Sequence, residues 1–206
     1  MAGKAMSEFD LALSIALGVG LAAAVGFRVF LPLLVVSIAA YSGNLPLSDG
    51  FAWLGTLPVI AMLGVAALAE TLAYYIPGVD NLLDTLATPA AFLAGIAVSA
   101  AVMADLPPVV KWTTAIIAGG GAAGLTQSAT ALLRLNSTTF TGGLGNPIIA
   151  TAEFGGALLV ALLALIAPLL GLALVILFCW LAVRLARRML RRTPAARAGP
   201  SEPGGG

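Results

Sequence analysis

Long apolar runs joined by short polar segments organise this chain. After a polar lead over residues 1–10 carrying Lys4, Glu8 and Asp10, apolar sequence extends from Leu11 to Tyr41, interrupted by Gly26, Phe27, Arg28 and Pro32. That run is too long for one ordinary span of about 20 residues, and what remains after a first crossing is too short for a comfortable second. The pattern therefore predicts a full span over 11–27 and a re-entrant or broken half-helix over 29–42. Asn44, Pro46, Ser48, Asp49 and Gly50 are turn formers and predict a loop over 43–53. A clean span follows over 54–76, ended by Pro77 and Gly78. Residues 77–88 mix polar and apolar positions, and a further span runs from Pro89 to Met103, closed by Asp105 and the breaker pair Pro107-Pro108.

The second half opens with Lys111 and Trp112, a cation and an indole suited to a membrane interface. Residues 113–127 carry Gly119, Gly120, Gly121 and Gly124, small residues that let helix backbones approach closely. The segment 126–146, TQSATALLRLNSTTFTGGLGN, is the most polar stretch between membrane pieces and reads as a broken or re-entrant element. Two long apolar stretches, 147–167 and 169–190, finish the pattern, with Pro168 and Gly171 at their joint. The tail over 191–206 is basic, then rich in Pro and Gly, and too poor in apolar residues to fold.

The halves also look weakly duplicated. GVGLAAAVGF at 18–27 is similar to GGGAAGLTQS at 119–128, and Pro58-Val-Ile-Ala to Pro147-Ile-Ile-Ala. The expected architecture is an all-α integral membrane protein, one transmembrane domain over 11–190 with halves at 11–105 and 112–190. It would hold six transmembrane helices plus two broken or re-entrant helices, as a 3+3 inverted repeat.

Composition sharpens this reading. With 60% hydrophobic residues, 9% charged residues and a mean hydropathy of +1.05, the chain lacks the charges to solvate a water-facing surface. Barrel strands need only about 10 alternating residues, and these runs are longer and continuous. Six of the ten cations, Arg184, Arg187, Arg188, Arg191, Arg192 and Arg197, crowd the last 23 residues. They place the C-terminus on the cytoplasmic side of a plasma (inner) membrane, and an even span count puts the N-terminus there too. The same cluster reads as an anchor on anionic lipid headgroups, with no nucleic acid as partner. No cleavable leader is expected. With no histidine and one cysteine, most metal and thiol chemistry is excluded and no cofactor is expected. Cys179, between Phe178 and Trp180, reads as a small buried hydrophobe.

The candidate chemistry is acid in apolar surroundings. Glu70 and Glu153 each lie within a run long enough to cross a bilayer, at a cost of about 2.5–3.5 kcal/mol on insertion scales, so they should face protein, a partner or water. Arg28 sits at a break, where freed backbone groups need partners. Asn146 precedes Pro147 at a helix start, a capping position that attracts anions. Thr126, Gln127 and Ser128 occupy the matching place in the other half, so the two breaks would meet near the membrane midplane. Asp80 and Asp84 are four apart on one face of any helix formed there, and read more readily as a solvated face or cap than as a site. Tyr74 and Tyr75 read as interfacial belt residues.

The runs GFRVFLPLL (26–34), AETLAYYIPGVDNLLDTLATP (69–89) and GLGNPIIATAE (143–153) resemble a bacterial integral membrane family catalogued as domain of unknown function DUF4126. The resemblance covers about residues 10–190. It implies no activity, and adds support for the boundaries and for Arg28, Glu70, Asn146 and Glu153 as site residues.

The reading favoured is a transporter or channel that moves a small ion, solute or lipid-linked substrate past buried carboxylates. The alternatives are a structural or assembly subunit, and an intramembrane enzyme using Asp80 and Asp84. A pair on one helix lacks the two-element arrangement of an aspartyl dyad, so no enzyme is expected. Membrane lipids and the substrate are the partners, and the glycine faces at 18–26 and 119–124 allow a homo-oligomer.

Overall fold

The computed structural model describes residues 7–76 and 79–191. The start of the polar lead, the Pro77-Gly78 break and the tail beyond residue 191 lie outside the described residues. Helix α1 (Glu8–Phe27) begins at a capping box: the Ser7 hydroxyl accepts from the Asp10 amide, and the Asp10 carboxylate accepts from the Ser7 amide. It ends at Arg28, whose backbone is extended, and α2 (Phe30–Tyr41) starts directly afterwards. A short 3-10 helix (Asp49–Gly55) bends by 69° into α3 (Leu57–Ala73). Next come α4 (Val79–Val102), α5 (Pro108–Thr114), a π-helical segment (Ala115–Gly120), α6 (Gly121–Thr141), α7 (Asn146–Ile166) and α8 (Pro168–Arg191).

Among the described residues there is no strand, and four helical stretches are long and apolar enough to cross a membrane: Glu8–Phe27, Leu82–Val102, Pro108–Thr141 and Asn146–Ile166. The bent pair Asp49–Gly55 and Leu57–Ala73 raises that number to five if it counts as one span. Their length and composition are those of an integral membrane protein. The six spans expected from the runs are not all delineated, because the helices at Phe30–Tyr41 and Pro168–Leu181 are shorter apolar pieces.

Two local expectations are corrected. Residues 79–88 are helical, and α4 passes through Pro89 without ending, as membrane helices can when neighbouring helices and hydroxyls supply the lost backbone partners. The polar stretch from Thr126 is a regular helix as far as Thr141, one part of a continuous 34-residue run from Pro108. Its polar residues recur at helical spacing: Thr126, Gln127, Thr130 and Arg134 are buried, whereas Leu125, Leu132, Leu133 and Leu135 face outward.

Helix α1 is the axis of the bundle. Its residues from Leu21 to Val25 are buried against α4, α6, α7 and α8. Small side chains permit the approach: a Cβ on Gly26 would collide with the Ala123 carbonyl and Thr126 of α6. Ser99 of α4 lies against both Gly18 and Gly119, and its hydroxyl donates to the Gly18 carbonyl at 2.8 Å.

These contacts do not support the inverted repeat. Moving from Gly18 to Gly26 along α1 goes with moving from Gly119 to Ala123 and Thr126 on the neighbouring helix, so the two similar segments run side by side in the same direction. Inverted halves would set them antiparallel. Helices α1 and α8 are parallel as well: Gly20 lies beside Gly171, and seven residues on, the Phe27 and Phe178 rings meet at 5.0 Å. The start of α1 and the end of α8 therefore point to opposite ends of the bundle.

Candidate functional site

Four helix ends deliver side chains to one place. The extended residue after α1 is Arg28, buried to 1% exposure. Tyr74 follows the last turn of α3, Asp80 and Asp84 belong to the first turns of α4, and Asn146 and Glu153 to the first turns of α7. Only α6 passes through by its interior, presenting Arg134. The cluster thus sits toward one end of the bundle, instead of halfway along it as the meeting of two broken helices implied.

Arg134 is its hub. Its Nη1 donates to Asp84 Oδ1 at 2.6 Å and its Nη2 to Glu153 Oε2. The same Glu153 oxygen lies 3.5 Å from Arg28 Nη2, which donates to the Ala150 carbonyl at 3.0 Å. One carboxylate therefore bridges two guanidiniums. Both guanidiniums also stack on Tyr74, with Arg28 Cζ 3.9 Å and Arg134 Cζ 4.0 Å from the ring centroid. Two such groups cannot share one ring face at that distance without overlapping, so the ring separates them and Glu153 closes the gap at its edge. Desolvated cations over an aromatic face contribute about 2 kcal/mol each. The Tyr74 hydroxyl donates to Asp84 Oδ1 at 3.3 Å.

Around this hub, the Asn146 amide donates to Asp80 Oδ2 and, at 3.0 Å, to Thr138 Oγ1. Asn146 is the first residue of α7 and its side chain caps no backbone amide there, contrary to the capping expectation. Glu70, near the end of α3, accepts from the Val29 amide at 2.8 Å and the Phe30 amide at 3.1 Å. Tyr75, read as a belt residue, is exposed and pairs its hydroxyl with Thr151 Oγ1 at 2.8 Å.

The structure brings together Arg28, Glu70, Asp80, Asp84, Asn146 and Glu153. Asp80 and Asp84 are buried and partnered, so the expectation of a solvated face does not hold: α4 starts early enough to turn both inward. Thr126 and Gln127 are buried two turns below Arg134 on α6. Ser128 points away and lines a separate apolar groove of about 620 Å³ with Thr88, Pro89 and Gly124. Arg134 is not among the site candidates of the sequence, and Tyr74, expected at the interfacial belt, is instead buried in the cluster at 3% exposure. The polar face Gln127, Thr130, Arg134 carried the signal for the first, and nothing local distinguished Tyr74 from Tyr75.

Several buried polar atoms in this region have no hydrogen-bond partner among the described residues: Arg28 Nε and Nη1, Arg134 Nε, Glu153 Oε1, Asn146 Oδ1, Thr126 Oγ1 and Gln127 Nε2. A second groove, about 520 Å³, runs between α3 and α4 and reaches Glu70 and Tyr74 at the margin of the cluster.

Residues 15–188 match the family described as a domain of unknown function (DUF4126), and the chain belongs to that family. No curated protein and no solved structure matches it.

Proposed function

We propose that this membrane protein is a small transporter or channel-like protein whose substrate or ion site is the cluster of Arg28, Tyr74, Arg134 and Glu153. The observation that carries the reading is the set of unpaired buried atoms on Arg28, Arg134 and Glu153 among the described residues. Leaving a buried polar group unsatisfied costs about 1–3 kcal/mol. A knot built only for stability would be expected to close its bonds, whereas a site that exchanges solute keeps donors and acceptors in reserve. Six charged groups at membrane helices are also far more than an architectural role needs. The C-terminal arginines favour placing this end of the bundle on the cytoplasmic side, with the start of α1 on the other. That arrangement replaces the expectation of both termini in the cytoplasm.

One observation favours the structural alternative: Arg134 is held by two carboxylates at once. The enzyme reading has less support, since Asp80 and Asp84 lie on one helix and are engaged by Asn146 and Arg134.

Flux decides. Proteoliposomes adsorbed to a solid-supported membrane are exposed to concentration jumps of protons, sodium, potassium and inorganic phosphate. The proposal expects a transient current with at least one of them in the wild type, and its loss in a Glu153→Gln variant that keeps its helical content and melts cooperatively. Silence toward all four, or an unchanged current in that variant, removes this cluster from any transport path for these ions.

A further inference from the structure

Arg28 is the cation of the cluster whose charge is least compensated. Arg134 is hydrogen-bonded to both Asp84 and Glu153, whereas the hydrogen bond of Arg28 goes to a neutral group, the Ala150 carbonyl. Its nearest carboxylate oxygen, Glu153 Oε2, lies 3.5 Å away and is already held by Arg134. Arg28 Nε and Nη1 have no partner among the described residues, although the residue is buried to 1% exposure. A guanidinium offers donors only and does not shed its charge by losing a proton. Burial in that state calls for a further counter-charge.

Side chains of α6 stand beside Arg28 with the same surplus of donors. Gly26, two residues before Arg28, lies against the Ala123 carbonyl and Thr126, and the Arg28 guanidinium stacks on the same tyrosine ring as that of Arg134, about two turns further along α6. The stretch from Gly26 to Arg28 therefore follows the buried face of α6 that carries Thr126, Gln127 and Arg134. Thr126 Oγ1, Gln127 Nε2 and Arg134 Nε are unpaired among the described residues. Thr126 departs from the habit of the other helical threonines. Thr71, Thr88, Thr139, Thr141 and Thr151 return their hydroxyls to the carbonyl four residues back, which satisfies the group inside its own helix. The Thr126 hydroxyl makes no such bond and is left to donate across the interface with α1.

We propose that Arg28, Thr126 and Gln127 form a site for a small monovalent anion of the chloride kind, with Arg134 Nε at its margin. The guanidinium N–H groups, the amide N–H and the hydroxyl take the place of water around the ion, and each gains the partner it lacks. Because Arg28 shares the Glu153 charge with Arg134, a single negative charge completes its compensation. A divalent anion would bring excess charge into an apolar bundle. A cation fits less well, since Asp84 and Glu153 already face guanidiniums and Glu70 and Asp80 accept from amides. At the unpaired Glu153 Oε1 it would lie beside both guanidiniums. The proposal rests on reading the cluster as a substrate site and names the substrate class.

The test is equilibrium dialysis of radiolabelled chloride against the purified full chain in dodecyl maltoside, with choline gluconate as the background salt and radiolabelled sodium as the cation control. Chloride should bind saturably, unlabelled nitrate should displace it, and sulfate at the same concentration should not. Sodium should show no saturable binding. Thr126→Val and Gln127→Leu should each weaken chloride by roughly tenfold, as expected for one lost hydrogen bond to a charged group. Thr126→Val should also raise the melting temperature in gluconate, because it removes a buried hydroxyl that has no protein partner. No saturable chloride binding, unchanged affinity in both variants, displacement by sulfate as strong as by nitrate, or saturable sodium binding in place of chloride would each overturn the proposal. A lower melting temperature for Thr126→Val would overturn it too, by showing that the hydroxyl is bonded within the protein. If one variant does not fold, the other and the comparison of ions still decide. Binding is read without flux, so a chain that binds chloride but carries no current keeps this inference and loses the transport reading. A chain that carries a current with protons, sodium, potassium or phosphate but binds no chloride loses this inference alone.

Discussion

Arg134 on α6 and Asp84 on α4 are 50 residues apart in sequence and form a buried ion pair at 2.6 Å. Neither would persist alone: removing one partner of a buried pair costs about 3–5 kcal/mol, because the other charge is left uncompensated. Asp84→Asn should cost about 3 kcal/mol, the low end of that range, since Arg134 keeps Glu153. Arg134→Met should cost more, because it removes the ion-pair partner of Asp84 and leaves Glu153 only the more distant Arg28. Thermal unfolding in detergent gives the order, and an Arg134→Met protein that melts with the wild type would refute it.

Tyr74 separates two like charges, and its ring and hydroxyl make different contributions. Tyr74→Phe loses one long hydrogen bond to Asp84 and should cost no more than about 1 kcal/mol. Tyr74→Leu loses both stacked faces and should cost about 3 kcal/mol or more. The comparison is made on melting curves of the two variants, and equal losses would mean that the hydroxyl, not the ring, carries the contact.

Two glycines should respond in opposite ways. Gly26 faces the Ala123 carbonyl and Thr126, so Gly26→Ala forces α1 and α6 apart, at about 1–3 kcal/mol. Gly64 lies inside α3 with nothing within 4 Å of an added Cβ, so Gly64→Ala should stabilise by up to about 1 kcal/mol through helix propensity. Melting temperatures that fall for both would show that α3 is packed more tightly than its surroundings indicate.

Much of this was legible in the chain. Arg28, Glu70 and Glu153 stand out because charge inside an apolar run is costly unless it faces protein, a partner or water, and all three fall in the cluster. Apolar run length placed α1, α7 and α8 within a few residues. The departure in α6 has a physical cause: the spacing of polar residues, not their number, tells a helix face from a break. From Thr126 onward, hydroxyls at three- and four-residue intervals mark one face of a helix, and reading the segment as a break hid Arg134. Proline at position 89 would end a water-soluble helix but does not end α4, which is why Asp80 and Asp84 look solvent-facing in the sequence and are buried in the fold. The repeat is unsupported for another reason: Gly- and Ala-rich helices resemble one another because they pack closely, and similarity of that kind carries no direction.

The central claim is that the cluster exchanges with solute and is not a sealed knot. Gln127, 1% exposed with an unpaired amide nitrogen, lies on α6 two turns from Arg134. The most direct measurement is the reaction of a Gln127→Cys variant, in a Cys179→Ser background, with a small charged methanethiosulfonate in sealed vesicles. A thiol reacts as its thiolate, which requires water. We expect modification of the folded protein, faster from the side bearing the C-terminal arginines. A thiol that stays inert from both sides until the protein is unfolded would contradict the claim and leave the cluster a structural element.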